Sequence, residues 1–310
     1  MKKISIFTPC YNEKGNISEM YAQVTAVMNT LPQYEYEYVF IDNKSTDGTR
    51  EILREIASRD KHVKVIFNTR NFGPDQSGMH GFLATTGDVS ICLACDLQDP
   101  PRLIPDFIKK WEEGYKVVWG QKVKSQENPL MYAIRTLYYK IINLFSNLKQ
   151  YPHMTGFGAY DKVVMDEIRK AQEPDPLLRN LIPDLGYEVG IVEYEQPRRK
   201  SGRSHYNFFS YVDTAIKSLV NTSRAPLRLV TYIGIIFSIL SFGTACYYFI
   251  YKIVHWEAFS LGMAPLLIGI FFLGSIQILC LGIIGEYLND VLRRVTKKEN
   301  VIEEERINFD

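Results

Sequence analysis

The sequence has little cysteine and lacks the pattern of a disulfide framework. Its 310 residues include five cysteines, which are Cys10, Cys92, Cys95, Cys246 and Cys280. An odd number of cysteines without a secretion signal favours a reducing, cytosolic compartment. Cys92 and Cys95 have C-x-x-C spacing, but no second pair accompanies them and they lie in an apolar run. A zinc or redox centre is therefore not expected there.

The sequence also lacks a secretion signal and has almost no net charge. The apolar run at residues 4–7 is too short for a signal peptide and is followed by Pro9, Asn12 and Glu13. The chain has 36 basic and 35 acidic residues, which gives a net charge of +1. A nearly neutral chain has no general attraction for nucleic acid, so a charged partner must be bound by a local patch. No internal repeat is present.

Short apolar runs alternate with helical patterns over the first 120 residues. The runs that predict strands are 3–7, 38–41, 63–67, 89–95 and 117–120. A helix is predicted from about residue 17 to 31, and Ser45 and Asp47 are placed to cap the next one. Strands that alternate with helices predict an α/β fold with a mostly parallel, doubly wound sheet.

Three polar clusters follow the first, second and fourth predicted strands. They are residues 9–13 (PCYNE), 42–48 (DNKSTDG) and 96–101 (DLQDPP). In doubly wound sheets ligands bind beyond the carboxyl ends of the strands, so the three clusters predict a single site. Oxygen ligands in the third cluster suit Mg²⁺ or Mn²⁺, a cation that commonly bridges nucleotide phosphates. The alternative for the third cluster is a capped surface turn, because Asp and Pro are common in turns.

Long apolar segments occupy the carboxyl-terminal third. Residues 227–251 and 261–288 each exceed the ~20 apolar residues that span a bilayer, and they predict two transmembrane helices. The alternative is a buried helical hairpin. Basic residues cluster at the outer ends of the two segments, and the intervening loop has few, which predicts a multi-pass inner-membrane protein with both termini in the cytoplasm. The clustered residues are Arg224, Arg228, Arg293, Arg294, Lys297 and Lys298. Glu286 is either an acceptor-site residue or an interfacial carboxylate facing water.

Two further segments and the tail complete the organisation. Residues 129–148 and 205–224 are rich in large apolar side chains with interspersed basic residues, which favours amphipathic helices in the membrane interface. The alternative for both is an ordinary core helix. The tail, residues 291–310, is charged and poor in apolar residues from residue 297 onward, and it is predicted to be loose.

The three clusters, with residues 71–73 (NFG), 199–204 (RKSGRS) and 285–288 (GEYL), resemble a known family. The chain is similar to family 2 glycosyltransferases, specifically the polyprenyl-phosphate glycosyltransferases related to dolichol-phosphate mannose synthase. The resemblance covers nearly the whole chain except the tail. It implies a nucleotide-sugar-binding A-type domain at residues 1–204, a transmembrane hairpin at 225–290 and a homo-oligomer, a tetramer in some relatives.

The resemblance also implies roles for individual residues by matching position. The implied donor contacts are Pro9, Tyr11, Glu13, Asp42, Asp96, Gln98, Arg199 and Ser204, with Asp96 and Gln98 at the metal and diphosphate end. Lys140 matches a basic position that holds the acceptor phosphate. Arg135 is our addition, because it lies near Lys140 on the same predicted helix.

Three positions depart from the family pattern. The family usually reads D-x-D-x-Q, but Ala94 stands at the first Asp, and Asp99 is the candidate metal ligand that replaces it. Asn43 stands where a second Asp is common. Gly156 stands where an Asp often does, so a catalytic base at that position cannot be carried over.

The resemblance implies an inverting transfer of one sugar from a nucleotide-sugar, expected to be a UDP-sugar, to undecaprenyl phosphate. A phosphate monoester has a second pKa of about 6, so this nucleophile is largely ionised near neutral pH and needs little help from a base. Asp184 is a weak candidate base, and the alternative for it is a solvated turn carboxylate. Competing hypotheses are a catalytically silent nucleotide-sugar-binding scaffold and a GDP-mannose-dependent mannosyltransferase.

Overall fold

The computed structural model describes residues 1–124, 156–171, 178–197, 225–254, 263–295 and 301–309. These residues form two compact units. The second unit comprises residues 225–254 and 263–295, and the first contains all the others. Residues 129–148 and 205–224, the predicted interfacial helices, lie outside the described residues.

The first unit alternates strands and helices over most of its length. Its elements are β1 (Lys3–Cys10), α1 (Ile17–Asn29), β2 (Glu35–Asp42), α2 (Thr49–Arg59), β3 (Val63–Asn68), α3 (Pro74–Leu83), β4 (Val89–Cys92), a one-turn helix (Pro101–Leu103), α4 (Ile104–Glu112), β5 (Val117–Lys124), β6 (Gly158–Asp161), α5 (Lys162–Ala171), α6 (Leu178–Leu185), β7 (Val189–Glu195) and β8 (Glu303–Ile307). The second unit contains α7 (Ala225–Val254) and α8 (Met263–Val295).

The strands form one eight-stranded sheet in the order β7-β5-β6-β4-β1-β2-β3-β8. The central strands β4, β1, β2 and β3 are parallel, as are β5 and β7. Strand β6 is antiparallel to β4 and β5, and β8 is antiparallel to β3. The predicted α/β architecture with a parallel centre is therefore confirmed, and the antiparallel pairs make the sheet mixed.

Helices cover both faces of this sheet because the central strands are apolar on both sides. On β2, Tyr38 and Phe40 face the core that contains α1, α2 and α4, whereas Val39 and Ile41 face the core that contains α3, α5 and α6. All four side chains are fully buried. Continuous apolar strands of this kind are typical of sheets that are buried on both faces.

Several strand boundaries differ from the prediction: β1 extends to Cys10, β2 begins at Glu35 and β5 extends to Lys124. Strand β4 ends at Cys92, not at Cys95, so the last three residues of the apolar run belong to the loop that follows. Strand β6 was not predicted. A Cβ atom at Gly158 would lie 2.1 Å from the carbonyl oxygen of Val118, so glycine is required where β6 pairs with β5.

The prediction of a loose tail is wrong for residues 303–307. These residues form β8 at the edge of the sheet, and the register pairs Arg306 with Ile66 of β3. The tail is charged, but its acidic side chains meet cations from distant parts of the chain. Local composition does not reveal such partners.

The second unit is a pair of long apolar helices. α7 and α8 contact each other, and the rings of Phe237 and Phe272 lie 5.8 Å apart. Within the described residues, one 18-residue window, Phe272–Asn289, is long and apolar enough to cross a membrane, and none of it is buried. The two predicted spans coincide with α7 and, except for residues 261 and 262, with α8. Their number and orientation in a bilayer stay predictions.

Candidate functional site

The first two polar clusters meet at one edge of the sheet. The register of β1 and β2 places Cys10 opposite Asp42, so both strands end at the same level. The backbone N–H of Asn12 donates to Ser45 Oγ at 2.8 Å, and the N–H of Thr46 donates back to Asn12 Oδ1 at 2.8 Å. These reciprocal hydrogen bonds join the loop after β1 to the loop after β2.

Asp42 lies at the centre of this junction and is fully buried. Its Oδ2 accepts the N–H of Ser45 at 3.1 Å and lies 3.5 Å from Nε of Arg50. Burial raises the pKa of Asp42, while the Ser45 hydrogen bonds and the Arg50 charge oppose that rise. Both carboxylate oxygens of Asp42 are thus engaged by the N–H of Ser45, and its role as a nucleoside contact stays a prediction.

The third cluster lies beside the first because β4 neighbours β1. The N–H of Leu93 donates to the carbonyl of Phe7 at 2.9 Å and guides the chain past the end of β4. Leu97 has a φ of +60°, and this tight turn lets the N–H of Gln98 donate to Asp96 Oδ1 at 3.1 Å. The predicted ligands Asp96 and Gln98 therefore share one turn, with Asp96 largely buried.

Asp99 stabilises the same turn through hydrogen bonds to both of its carboxylate oxygens. Its Oδ2 accepts the N–H of Ala94 at 3.2 Å, and its Oδ1 accepts the hydroxyl of Tyr194 at 3.1 Å. Burial raises the pKa of Asp99 to about 6; the Lys122 charge opposes the rise and the Asp96 charge adds to it. Both oxygens of Asp99 are thus engaged within the protein, and its role as a metal ligand stays a prediction.

Charges from the three clusters affect the pKa values of two buried thiols, Cys95 and Cys10. Burial raises the pKa of Cys95, and the negative charges of Glu13 and Asp96 raise it further. Burial also raises the pKa of Cys10, with added effects from Cys95 and Asp42. The first, second and third clusters are therefore electrostatic neighbours. Both thiols are held protonated, which disfavours metal binding or thiol exchange through them.

Asn43 organises a fourth loop that sequence reasoning did not assign to the site. Its Oδ1 accepts the N–H of Phe72 at 2.9 Å, and its Nδ2 donates to Asn71 Oδ1 at 2.9 Å and to the Gly73 carbonyl at 3.2 Å. A carboxylate can only accept hydrogen bonds, so an Asp could not make the last two. This is a physical reason for asparagine at a position where the family often has Asp.

Among the described residues, a divalent cation would need oxygen ligands from a bound substrate in addition to those of the protein. In the part of the chain that the structure describes, no group of three or more His, Cys, Asp or Glu side chains is arranged around a metal position. Mg²⁺ commonly binds through one or two carboxylates together with substrate phosphates. Asp96 with the carboxamide of Gln98 fits that mode, whereas a cage made only of protein side chains does not exist among the described residues.

The remaining predicted site residues are in different parts of the chain, and the structure describes only some of them. Pro9, Tyr11 and Glu13 lie half-buried at the end of β1 and the following loop, as a ligand contact requires. Asp184 is exposed on α6, and its role as a base stays a prediction. Four predicted residues lie outside the described residues; they are Arg135, Lys140, Arg199 and Ser204.

A shallow cavity lies away from these clusters. It has a volume of about 350 Å³ and is lined by residues 113–116, Tyr187 and Glu188. These residues precede β5 and β7, so the cavity is at the amino ends of the strands. Ligands of doubly wound sheets bind at the opposite edge, which is the edge that carries Asp42 and Asp96.

A mixed α/β sheet of this order with acidic loops at its carboxyl edge defines a nucleotide-sugar transferase fold of the A type. The chain belongs to glycosyl transferase family 2, whose model matches residues 5–169, and is therefore a glycosyltransferase. The model of the GtrB C-terminal hairpin matches residues 225–291, which together with the apolar window in α8 indicates membrane association.

Similar proteins extend over nearly the whole chain. The prophage bactoprenol glucosyl transferase homolog of Escherichia coli (strain K12) is 31% identical over 97% of this chain and 98% of its own length. The bactoprenol glucosyl transferase of Shigella phage SfX is 31% identical over 93% of this chain and 94% of its own. The crystal structure of mannosyl-3-phosphoglycerate synthase from Rubrobacter xylanophilus has a TM-score of 0.51 and 17% identity over 75% of each chain, which shows the fold alone.

Proposed function

We propose that this protein transfers a single sugar, with inversion, from a UDP-sugar to a polyprenyl phosphate such as undecaprenyl phosphate. The observation that carries the proposal is the convergence of Glu13, Asp42 and Asp96 at the carboxyl edge of three adjacent parallel strands. Full-length relatives named bactoprenol glucosyl transferase support the choice of acceptor. The product is a polyprenyl-phosphate sugar for glycosylation of the cell envelope.

The donor is bound along the carboxyl edge. The residues assigned to the nucleoside lie at the carboxyl ends of β1 and β2 or in the loop after β1; they are Pro9, Tyr11, Glu13 and Asp42. Asp96 and Gln98 follow β4, the strand beside β1, and we assign them to the diphosphate and the metal. Mg²⁺ or Mn²⁺ bound there would neutralise the charge of the leaving nucleoside diphosphate.

The diphosphate and the acceptor phosphate need separate cationic partners. Arg199 and Ser204 close over the donor phosphates, and Lys140 with Arg135 holds the lipid phosphate. Charge-assisted hydrogen bonds from such side chains hold phosphates in a defined orientation. Aligning the acceptor oxygen with the anomeric carbon makes the reaction effectively unimolecular.

A phosphate acceptor removes the need for a strong general base. Since the phosphate monoester is mostly a dianion above pH about 6, it can attack without losing a proton in the transition state. Gly156, at the position of a frequent family Asp, adopts a φ of +90° and offers no side chain for proton transfer. Asp184 stays a weak candidate base.

The lipid acceptor places the reaction at the cytoplasmic face of the inner membrane. We propose that α7 and α8 both cross the bilayer, with the catalytic domain and both termini in the cytoplasm. The segments 129–148 and 205–224 then lie in the interface, where they bring the lipid phosphate to the sheet edge. We also propose a homo-oligomer, since related enzymes assemble as tetramers.

Purified full-length protein with undecaprenyl phosphate and Mg²⁺ or Mn²⁺ tests the proposal. UDP-glucose, UDP-N-acetylglucosamine, UDP-galactose and GDP-mannose are offered separately, and release of the nucleoside diphosphate is measured. We expect release from one UDP-sugar and loss of at least about 100-fold in kcat for Asp96→Ala, as for removal of a key electrostatic group. Asp106→Ala, an exposed carboxylate on α4, is the control.

An active Asp96→Ala variant would refute the role of that carboxylate. Nucleotide binding without turnover on any donor would instead favour the silent scaffold, and turnover of GDP-mannose alone would favour the mannosyltransferase.

A further inference from the structure

The carboxyl-terminal strand lies next to the loops of the donor site. Strand β8 pairs with β3, and the N–H of Thr69 donates to the carbonyl of Ile302 at 3.0 Å. Strand β3 in turn pairs with β2, which ends at Asp42. Residues 301–309 therefore reach the edge where the loop after β2 begins, although they are more than 250 positions away in sequence.

One side chain of this strand bridges the two ends of that loop. Glu304 Oε2 lies 2.7 Å from Nζ of Lys44 and 2.9 Å from Nη2 of Arg50. Lys44 is near the start of the loop and has a φ of +65°, a conformation that non-glycine residues rarely adopt. Arg50 is in the first turn of α2, just after the loop. Glu304 thus joins both sides of the segment that follows Asp42.

Arg50, which Glu304 holds in place, also lies next to Asp42. Its guanidinium lies 4.8 Å from the ring of Phe67, and its Nε lies 3.5 Å from Asp42 Oδ2. Within the described part of the chain, that buried Nε makes no hydrogen bond. Glu304 therefore binds the guanidinium of Arg50 at Nη2. Nε of the same group faces Asp42 but makes no hydrogen bond to it.

We propose that Glu304 is a positioning residue for the donor nucleotide. It fixes Lys44 and Arg50 so that the loop carrying Asp42 is already in its binding conformation before the donor arrives. This inference rests on the proposed function, because Asp42 is a nucleoside contact only if the site binds a nucleotide. Ordering a loop in advance improves affinity, since the ordering cost is not incurred during binding.

The neighbouring residue Glu305 provides a matched control. Glu304 and Glu305 are equally exposed, at 41% of the side chain, and each pairs with an arginine of α2. The partner of Glu305 is Arg54, which lies one turn further along α2 and away from the loop after β2. Exposed ion pairs contribute little to stability, so neither substitution is expected to unfold the protein.

The test is calorimetric binding of UDP, and separately GDP, with Mg²⁺, to the detergent-solubilised full chain. For the nucleotide that the unsubstituted protein binds, we expect Glu304→Gln to weaken binding about fivefold, and Glu305→Gln to leave it unchanged. In the transfer assay, KM for the donor rises by a similar factor while kcat at saturating donor is kept. If Glu304→Gln only destabilised the fold, it would instead lower the melting temperature and the fraction of active protein.

A double-mutant cycle identifies the path of the effect. If Glu304 acts by holding Lys44, the combination of Lys44→Gln with Glu304→Gln weakens binding less than the sum of the two single effects. Equal binding by Glu304→Gln and the unsubstituted protein overturns the inference and leaves the proposed function standing. Absence of UDP and GDP binding by the unsubstituted protein overturns both.

Discussion

Tyr194 donates its hydroxyl to the buried carboxylate of Asp99 at a distance of 3.1 Å. Through this hydrogen bond β7 supports the turn after β4, because the other oxygen of Asp99 holds the N–H of Ala94. The position of Asp96 therefore depends on a residue almost 100 positions later in the chain. Support of this kind from another strand of the sheet keeps a binding turn in one conformation.

Tyr194→Phe removes this support with a minimal change of shape. We expect a loss of about 1–2 kcal/mol in the free energy of unfolding, because a buried carboxyl loses a hydrogen bond. Transfer activity falls as well, since the turn that carries Asp96 loosens. Tryptophan fluorescence during thermal unfolding and nucleotide release measure the two effects. An unchanged melting temperature would show that Tyr194 does not brace Asp99.

Asn43→Asp tests the hydrogen-bond network around Phe72 and Gly73. At neutral pH the new carboxylate faces the Gly73 carbonyl and Asn71 Oδ1, two oxygens that it cannot bind. We expect a cost of about 2 kcal/mol in the free energy of unfolding, reduced at acidic pH where protonation restores one donor. Thermal unfolding at pH 7 and pH 4 measures both values. Equal melting temperatures for the variant and the unsubstituted protein at pH 7 would contradict the assignment of the amide nitrogen.

Glu37 provides a prediction about acid stability at the opposite edge of the sheet. Burial would raise its pKa, but hydrogen bonds from Lys3, Ser5, Lys64 and the Thr86 N–H outweigh burial and lower the pKa to about 2. The folded state thus favours the ionised form relative to the unfolded chain. Its contribution is complete above pH 4.5 and is lost as the pH falls towards 2.

Glu37→Gln should remove about 2–3 kcal/mol of the free energy of unfolding at neutral pH and flatten its dependence on pH between 4.5 and 2. Glu35→Gln, an exposed position on the same strand, is the control and should keep the dependence of the unsubstituted protein. Thermal unfolding across this pH range provides the measurement. A Glu37→Gln variant that still loses stability as steeply below pH 4.5 would show that other carboxylates dominate.

Ala94→Asp tests the metal proposal by adding a carboxylate where the family usually has one. Ala94 is partly exposed at the turn that carries Asp96, so an aspartate there has space. We expect the Mn²⁺ concentration that gives half-maximal activity to fall about tenfold, since a further carboxylate strengthens binding of a hard cation. Titration of activity with Mn²⁺ gives this value, and Ala94→Asn separates charge from size. A higher metal requirement would mean that the cation is not held at this turn.

The sequence was sufficient to predict the central sheet and the meeting of the first two polar clusters at one edge of it. Strands β1, β2 and β4 are apolar runs that end in polar clusters. The apolar run and the polar cluster can each be recognised from a few consecutive residues. The network around Asn43 could not be predicted, because it depends on a loop about 28 positions later. Strand β6 escaped prediction for a similar reason: Gly158 is selected by close contact with β5, and its own short segment has little strand propensity.

The strand at residues 303–307 also shields a vulnerable surface. Without it, β3 would present an unpaired backbone edge with Val65, Ile66 and Phe67, all fully buried in the intact protein. Exposed apolar edges of this kind recruit strands from other molecules and lead to aggregation. Proteolytic removal of the segment that follows α8 would therefore expose this edge, and turbidity after limited digestion would measure the resulting aggregation.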